Sequence, residues 1–397
     1  MTSVQAQQLV HAPASAAYHA FTNATALREW LCVVATVAAR PNGRIYLWWN
    51  GDFYSSGHFF ELESDKKVHF RWFSNIDPGP SEITVTFEPQ DADTLVTMTH
   101  SVPDGEGWPE RAEGFRAEWQ SSLENLASVL ETGKDLRIVN RPMIGIVPGD
   151  FNAEQAKRLG VPVKEGMRLD DTVEGMGAFN AGLRKDDVII EVNGKTITND
   201  FNTFPAAIHG KKGGDPVLVV FYRGPEKHSV EMILSRRPVP DVPFDPQALA
   251  KAVQEPFVAA MKDLRQVFEG VSDVQAAKRP APAEWSALDT VAHLIHTERI
   301  NRQFIDELVQ GFERTGDDFG GNIDAHIRAT VQTYPNIEAI LGELERNIAE
   351  NVAFIANLPP EFVARKGSYF RMGWGMMQGT AHIYGHIEQI KAALTAK

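Results

Sequence analysis

Residues 175–194 read GMGAFNAGLRKDDVIIEVNG, and this stretch decides how the chain divides. Small residues (Gly175, Gly177, Ala178) lead into a short helical turn. Ala181-Gly182-Leu183 closes that turn, with Gly182 placed for a left-handed conformation. Val188 to Val192 is an apolar strand, and Asn193-Gly194 is a tight-turn signal. A compact β-rich unit in mid-chain leaves long sequences on either side, and 397 residues are too many for one ordinary domain.

Composition is that of a globular chain, 43% apolar and 23% charged. A formal net charge of −13 argues against a phosphate-backbone partner, which needs clustered Lys and Arg, so no nucleic acid is expected. No apolar run reaches the roughly 18 residues of a membrane span. The opening MTSVQAQQLVHAPAS lacks a basic start and an apolar run, so no secretion signal is expected. Cys32 is the only cysteine, which excludes an internal disulfide and points to a reducing compartment, the cytoplasm.

Residues 1–135 read as an α+β unit. Val4 to Val10 is a first strand, and Ala14 to Trp30 is helical with Ala17, Tyr18, Phe21 and Leu27 on one face. Strands follow at 44–49, 56–63, 67–74, 81–88 and 94–101, punctuated by Asn42-Gly43, Asn50-Gly51 and Asp77-Pro78-Gly79. Phe115, Trp119, Leu123, Leu126 and Leu130 mark a closing amphipathic helix, about 33 Å long and terminated at Gly133. This order resembles the START-like helix-grip fold, in the branch of the activator of the heat-shock chaperone ATPase. HAPASAAYHAFTNATALREWL, GHFFELESDKKVHFRWF and TLVTMTHS followed by GW carry the resemblance. It implies a sheet curled around the long helix and an interior that can hold a small apolar ligand. Trp30, Trp48, Trp49, Phe59, Phe70, Trp72 and Trp119 would line such a cavity or simply fill the core. His58, His69 and His100 lack metal-ligand spacing and read as surface or hydrogen-bonded core residues.

The middle unit, 140–238, resembles a PDZ domain of the bacterial HtrA type, on the small-residue lead, Ala181-Gly182-Leu183, the apolar strand and Asn193-Gly194. Asp186-Asp187 stands where Gly-Asp is common. Pro142 to Ile146 is expected to open the unit as a strand. The resemblance implies that Met143, Ile144, Gly145 and Ile146 bind a peptide's C-terminal carboxylate, flanked by a helix over 201–209. Such a domain otherwise acts as a spacer or mediates a homodimer. No Gly-Asn-Ser-Gly-Gly segment occurs anywhere, so a protease is not expected.

Pro238, Pro240, Pro243 and Pro246 form a stiff linker, compatible with independent domains. Beyond it, 245–397 reads as an all-α four-helix bundle, with helices at 247–268, 286–309, 323–356 (interrupted near Pro335) and 375–394, and a Gly-rich acidic connection at 311–322. His382 and His386, four apart, share one face of the last helix. His293 stands about as far into the second helix as His382 into the fourth, near 10 Å, so parallel helices would bring three imidazoles together. AEWSALDTVAHLIHTE and GTAHIYGHIEQIKAAL resemble the DinB-like bundle family, whose metal ligands map onto His293, His382 and His386, with His296 in reserve. Three neutral nitrogens leave open positions on a divalent ion, and zinc, nickel or iron all suit imidazole. Tyr384, Glu298, Trp374 and Arg371 are possible supporting groups. The expected function is metal-dependent transferase or hydrolase chemistry on a small molecule. The alternative is a non-catalytic protein that binds ligands and peptides as a regulator or scaffold.

Overall fold

A computed structural model of the chain describes residues 2–200, 202–314 and 323–395. It divides into two compact units, Met1–Asp135 together with Asp241–Lys397, and Leu136–Pro240. Among the described residues, no helix is long and apolar enough to cross a membrane.

The chain opens with β1 (Thr2–Val10), α1 (Ala14–Thr22) and α2 (Ala24–Trp30). There follow β2 (Val34–Val37), β3 (Arg44–Trp49), β4 (Phe53–Glu63), β5 (Lys67–Ser74), β6 (Ser81–Gln90), β7 (Asp93–Val102) and α3 (Trp108–Thr132). The strands form a seven-stranded antiparallel sheet in the order β1-β7-β6-β5-β4-β3-β2. Alternate residues such as Val68, Phe70 and Trp72 face inward, where Phe115, Trp119, Leu123 and Leu126 of α3 meet them. This is the helix-grip arrangement. The single helix expected over 14–30 is two, because Asn23 is extended and its side chain caps Ala26 N at 3.0 Å. Trp30, Phe59, Phe70, Trp72 and Trp119 are buried in mutual packing and occupy the interior as core. Trp49 joins them by packing at a tilt against Trp72 and donating to Leu31 O at 2.6 Å. Trp48 alternates with buried Leu47 and faces the opposite side of the sheet.

The second unit contains α4 (Leu136–Val139), β8 (Ile146–Gly149), α5 (Ala153–Leu159), β9 (Met167–Thr172), α6 (Gly177–Asn180) and β10 (Val188–Val192). It continues with β11 (Lys195–Thr196), α7 (Thr203–Ala207), β12 (Pro216–Arg223) and β13 (Glu226–Ile233). The sheet order is β13-β12-β10-β9-β8, with β11 on β10. Asp186 takes the left-handed φ of +69° that a glycine would take freely. Its carboxylate accepts from Arg168 Nη1 at 3.0 Å and Arg158 Nη2 at 3.2 Å, which offsets the strain. Asp187 is buried and bound bidentately by Arg223, both contacts 2.8 Å.

The remaining helices are α8 (Pro246–Val267), α9 (Asp273–Ala277), α10 (Ala287–Gln310), α11 (Ile323–Thr333), α12 (Ile337–Ala356), α13 (Pro360–Val363), α14 (Lys366–Met377) and α15 (Thr380–Thr395). Ser286 caps α10 in a reciprocal box with Asp289. α8, α12, α10 and α15 pack in a ring. α8 and α12 are antiparallel: Arg265 reaches Glu338, while Gln247 reaches Ala356 O.

The first and third regions are not independent. α14 packs on α2 and α3, where the small residues Gly367 and Gly133 leave room for Glu29 and Phe370. A charged cluster is enclosed there. Ser368 Oγ donates to Glu29, Arg371 reaches Glu313 at 2.8 Å and Glu29 at 3.6 Å, and Arg28 pairs with Glu313 at 2.9 Å. Burial raises the pKa of Glu29, opposed by Arg371 and Ser368.

Candidate metal centre and peptide groove

His293 lies on α10, and His382 and His386 lie one turn apart on α15. The structure brings them together, but by a different route from the parallel helices expected. The last helix breaks at Gln378-Gly379, where Gly379 lies against Phe257, so His382 stands in the first turn of α15 rather than two turns in. α10 also runs antiparallel to α14 and α15: His293 meets His382, while Phe304, further along α10, meets Arg371, which precedes His382.

His293 Nε2 and His386 Nε2 lie 3.1 and 2.9 Å from His382 Nε2, and one ligand atom from each ring lies within 4.8 Å of the others. His386 Nδ1 is 2.7 Å from Gln389 Oε1. An amide oxygen only accepts, so Nδ1 carries the hydrogen and neutral His386 presents a bare Nε2 to the cluster. One hydrogen on His382 Nε2 can align with only one neighbour. At least one of the two contacts is therefore left without a hydrogen bond, and a nitrogen lone pair is left free for a cation. His293 Nδ1 is buried without a partner among the described residues. Burial, then the charge of His382, His386 and His296, pushes the His293 pKa down to about 4. Burial, then His386, lowers that of His382. Both rings thus stay neutral and able to ligate at neutral pH. These donors fit a divalent ion.

His296 turns elsewhere and stacks on His326 at 4.4 Å. Tyr384 is exposed and bonds Asp263 at 3.0 Å, Trp374 packs edge-on to Phe370, and Arg371 belongs to the charged cluster. Glu298 is buried with Asn351 at 2.9 Å, and burial raises its pKa. Two neighbours of the cluster were overlooked in the sequence: Gln389, one turn beyond His386, and Trp285, whose ring lies 5.0 Å from that of His293. The helical i, i+3 spacing of His386 and Gln389 was the signal for the first.

In the second unit, Met143 to Gly145 is a loop, not a strand. Met143 makes an isolated bridge with Ser235, and the strand begins at Ile146. Gly145 has φ +77°, and a Cβ there would lie 2.2 Å from Met176 Cβ, so both conformation and space require glycine. Ile144 O and Gly145 O accept from Ala178 N and Val173 N, each at 2.9 Å. The amides of Ile144 and Gly145 donate to no group among the described residues. The flanking helix is the short α7, and Phe201 lies outside the described residues, as does most of the acidic connection expected at 311–322.

Three family models match in the order of the fold. Residues 11–131 match the activator of Hsp90 ATPase homolog 1-like protein, 144–234 the PDZ domain and 257–390 the DinB superfamily. The chain is therefore a multidomain protein with START-like, PDZ-like and DinB-like parts. A probable periplasmic serine protease do/HhoA-like of Haemophilus influenzae is 30% identical over 106 residues, 27% of this chain and 22% of that protein. A probable periplasmic serine endoprotease DegP-like of Marinomonas sp. is 27% identical over 128 residues, 32% of this chain and 26% of that protein. The chain spans about a quarter of the length of these curated relatives. Among solved structures, the Aha1 dimer from Colwellia psychrerythraea is 22% identical with a TM-score of 0.31, covering 34% of this chain and 99% of its own. An HSP90 activator from Plasmodium falciparum is 23% identical with a TM-score of 0.27, covering 33% and 96%.

Proposed function

We propose that the bundle holds one divalent ion on His293, His382 and His386 and carries out transferase or hydrolase chemistry on a small molecule. The observation that carries this reading is the convergence of three imidazole nitrogens with too few hydrogens to satisfy one another. These three residues would hold zinc, nickel or iron, which would supply Lewis acidity there. Gln389 fixes the tautomer and orientation of His386, and burial keeps His293 neutral. Cys32, single and buried, suits the cytoplasm. The working divisions are 1–135, 140–238 and 245–397. In a zinc titration of chelator-stripped protein, His386→Ala should lose binding while keeping the wild-type helical signal. Undiminished binding by that variant removes the assignment.

A second reading, a peptide-binding regulator or scaffold, is favoured by the free amides of Ile144 and Gly145, which suit a C-terminal carboxylate bound along Met143 to Ile146. A peptide library should be captured with free C-termini and not when amidated. Equal capture of both forms counts against the groove.

A further inference from the structure

β8 ends the sheet of the second unit and pairs, among the described strands, with β9 alone, so its other edge is open. The register fixes which main-chain groups face that edge. Gly145 O accepts from Val173 N, on the β9 side. Ile146 stands opposite Thr172, Val147 opposite Asp171 and Pro148 opposite Leu169, with Asp170 left over as a bulge on β9. Leu169 turns both of its main-chain groups away from β8, donating to Asp187 O at 2.9 Å and accepting from Asp186 N at 2.8 Å. Pro148 therefore occupies a non-hydrogen-bonded position of the β8–β9 pair and points its carbonyl to the open edge. Alternation turns Val147 inward and Ile146 outward. The edge thus offers two carbonyls, of Ile146 and Pro148, but only the N–H of Ile146, because proline has none. It ends there: beyond Gly149, Asp150 O already accepts from Arg168 Nε at 2.8 Å.

Resting on the peptide-binding reading above, we infer that Pro148 is a specificity residue that makes this edge acceptor-only beyond the carboxylate site. The edge reads the last three residues of a C-terminus and holds the third from the end by its N–H alone. A carboxylate on the unpaired amides of Ile144 and Gly145, which precede β8, sets the tail antiparallel to the strand. The last residue then lies beside Ile146 and the third from the end beside Pro148, since outward groups recur at every second residue of both strands. A complete ladder would exchange two hydrogen bonds at that third residue. Here its N–H reaches Pro148 O, and its carbonyl is left to water. The last side chain is apolar, because Ile144 and the half-buried Ile146 share one hydrophobic core with Phe204 and Ala207 of α7. The partner class is an apolar C-terminal tail with a free N–H, and so no proline, at the third residue from its end.

The test titrates full-length protein with acetylated hexapeptides, randomised at the first four positions and ending in Ala-Val, Ala-Leu or Ala-Phe. Counterparts are amidated at the C-terminus, N-methylated at the third residue from the end, or cut to the last three residues. The wild type should bind the free acids and lose the amidated forms. It should bind the three-residue forms within about twofold of the hexapeptides, and the N-methylated forms about fivefold more weakly. Pro148→Ala supplies the missing donor at an exposed position and should tighten the free-acid hexapeptides about fivefold, the worth of one net hydrogen bond. Pro148→Val, with a strand-forming side chain, should do the same if the gain follows the N–H rather than the shape of the strand. Tightening in both variants supports the inference. Carboxylate-dependent binding with no gain in either variant, or with no loss on N-methylation, overturns it and leaves the peptide reading standing. Equal binding of free and amidated forms by the wild type overturns the peptide reading, and the inference with it.

Discussion

His100 and His382 are both imidazoles packed among other rings, and their nitrogens meet opposite fates. Trp119 Nε1 donates to His100 Nδ1 at 3.1 Å, so His100 Nε2 carries the hydrogen and donates to Ser81 Oγ at 2.7 Å. Ser81 in turn donates to Trp72 O at 3.3 Å. Each donor there has an acceptor, and the chain of bonds closes inside the sheet. His382 Nε2 instead faces two further ring nitrogens, one of which has no hydrogen to give. A histidine with complete hydrogen bonding serves the fold. A set with too few hydrogens for its contacts keeps a lone pair free for a cation.

The largest effect expected from breaking this contrast is at His382. His382→Ala should take the bundle from about one bound ion to none at micromolar zinc, measured by titration, because the shared nitrogen is removed. Next is the charged cluster between α2 and α14, where satisfaction comes from opposite charge. Arg371→Met should destabilise the first unit by about 3 kcal/mol in urea melts, since it leaves Glu29 and Glu313 enclosed with one fewer cation. A loss under 0.5 kcal/mol would mean that the cluster is solvated.

His100 gives a pH signature. Burial holds its pKa down to about 3, while in the unfolded chain it titrates near 6.5. The unfolded chain thus binds the proton first, and stability contributed by the neutral ring is lost as pH falls from 6.5 toward 3. The slope is on the order of 1.4 kcal/mol per pH unit. Urea melts of wild type and His100→Gln across this window should show the slope only in the wild type, and equal slopes would place the acid sensitivity elsewhere. The smallest effect is at Gln389. Gln389→Ala should weaken metal binding by about 10- to 100-fold without removing it, by freeing the tautomer of His386. Unchanged affinity would show that the cluster positions itself.

Much of this was legible in the sequence because it rests on local rules. Period-two strands, the spacing of Phe115 to Leu130, the Asn193-Gly194 turn and the i, i+4 pair His382 and His386 each reflect one element's geometry. The identity of the third imidazole was legible too, but the direction of its helix was not, since helix order around a bundle depends on connections rather than on periodicity. The docking of α14 on α2 was hidden. Gly133 reads as a helix terminator and Gly367 and Ser368 as small residues, and only the fold shows them making room for Glu29 and Phe370. The break at Gly379 was missed for the same reason, since contact with Phe257 comes from another helix.

The most direct test of the contrast is elemental analysis of untagged protein purified without chelator, beside His293→Ala, His382→Ala, His386→Ala and His100→Gln. About one divalent metal per chain is expected in the wild type and in His100→Gln, and none in the three cluster variants. Metal-free wild type under replete conditions, or metal retained in all three cluster variants, would contradict it.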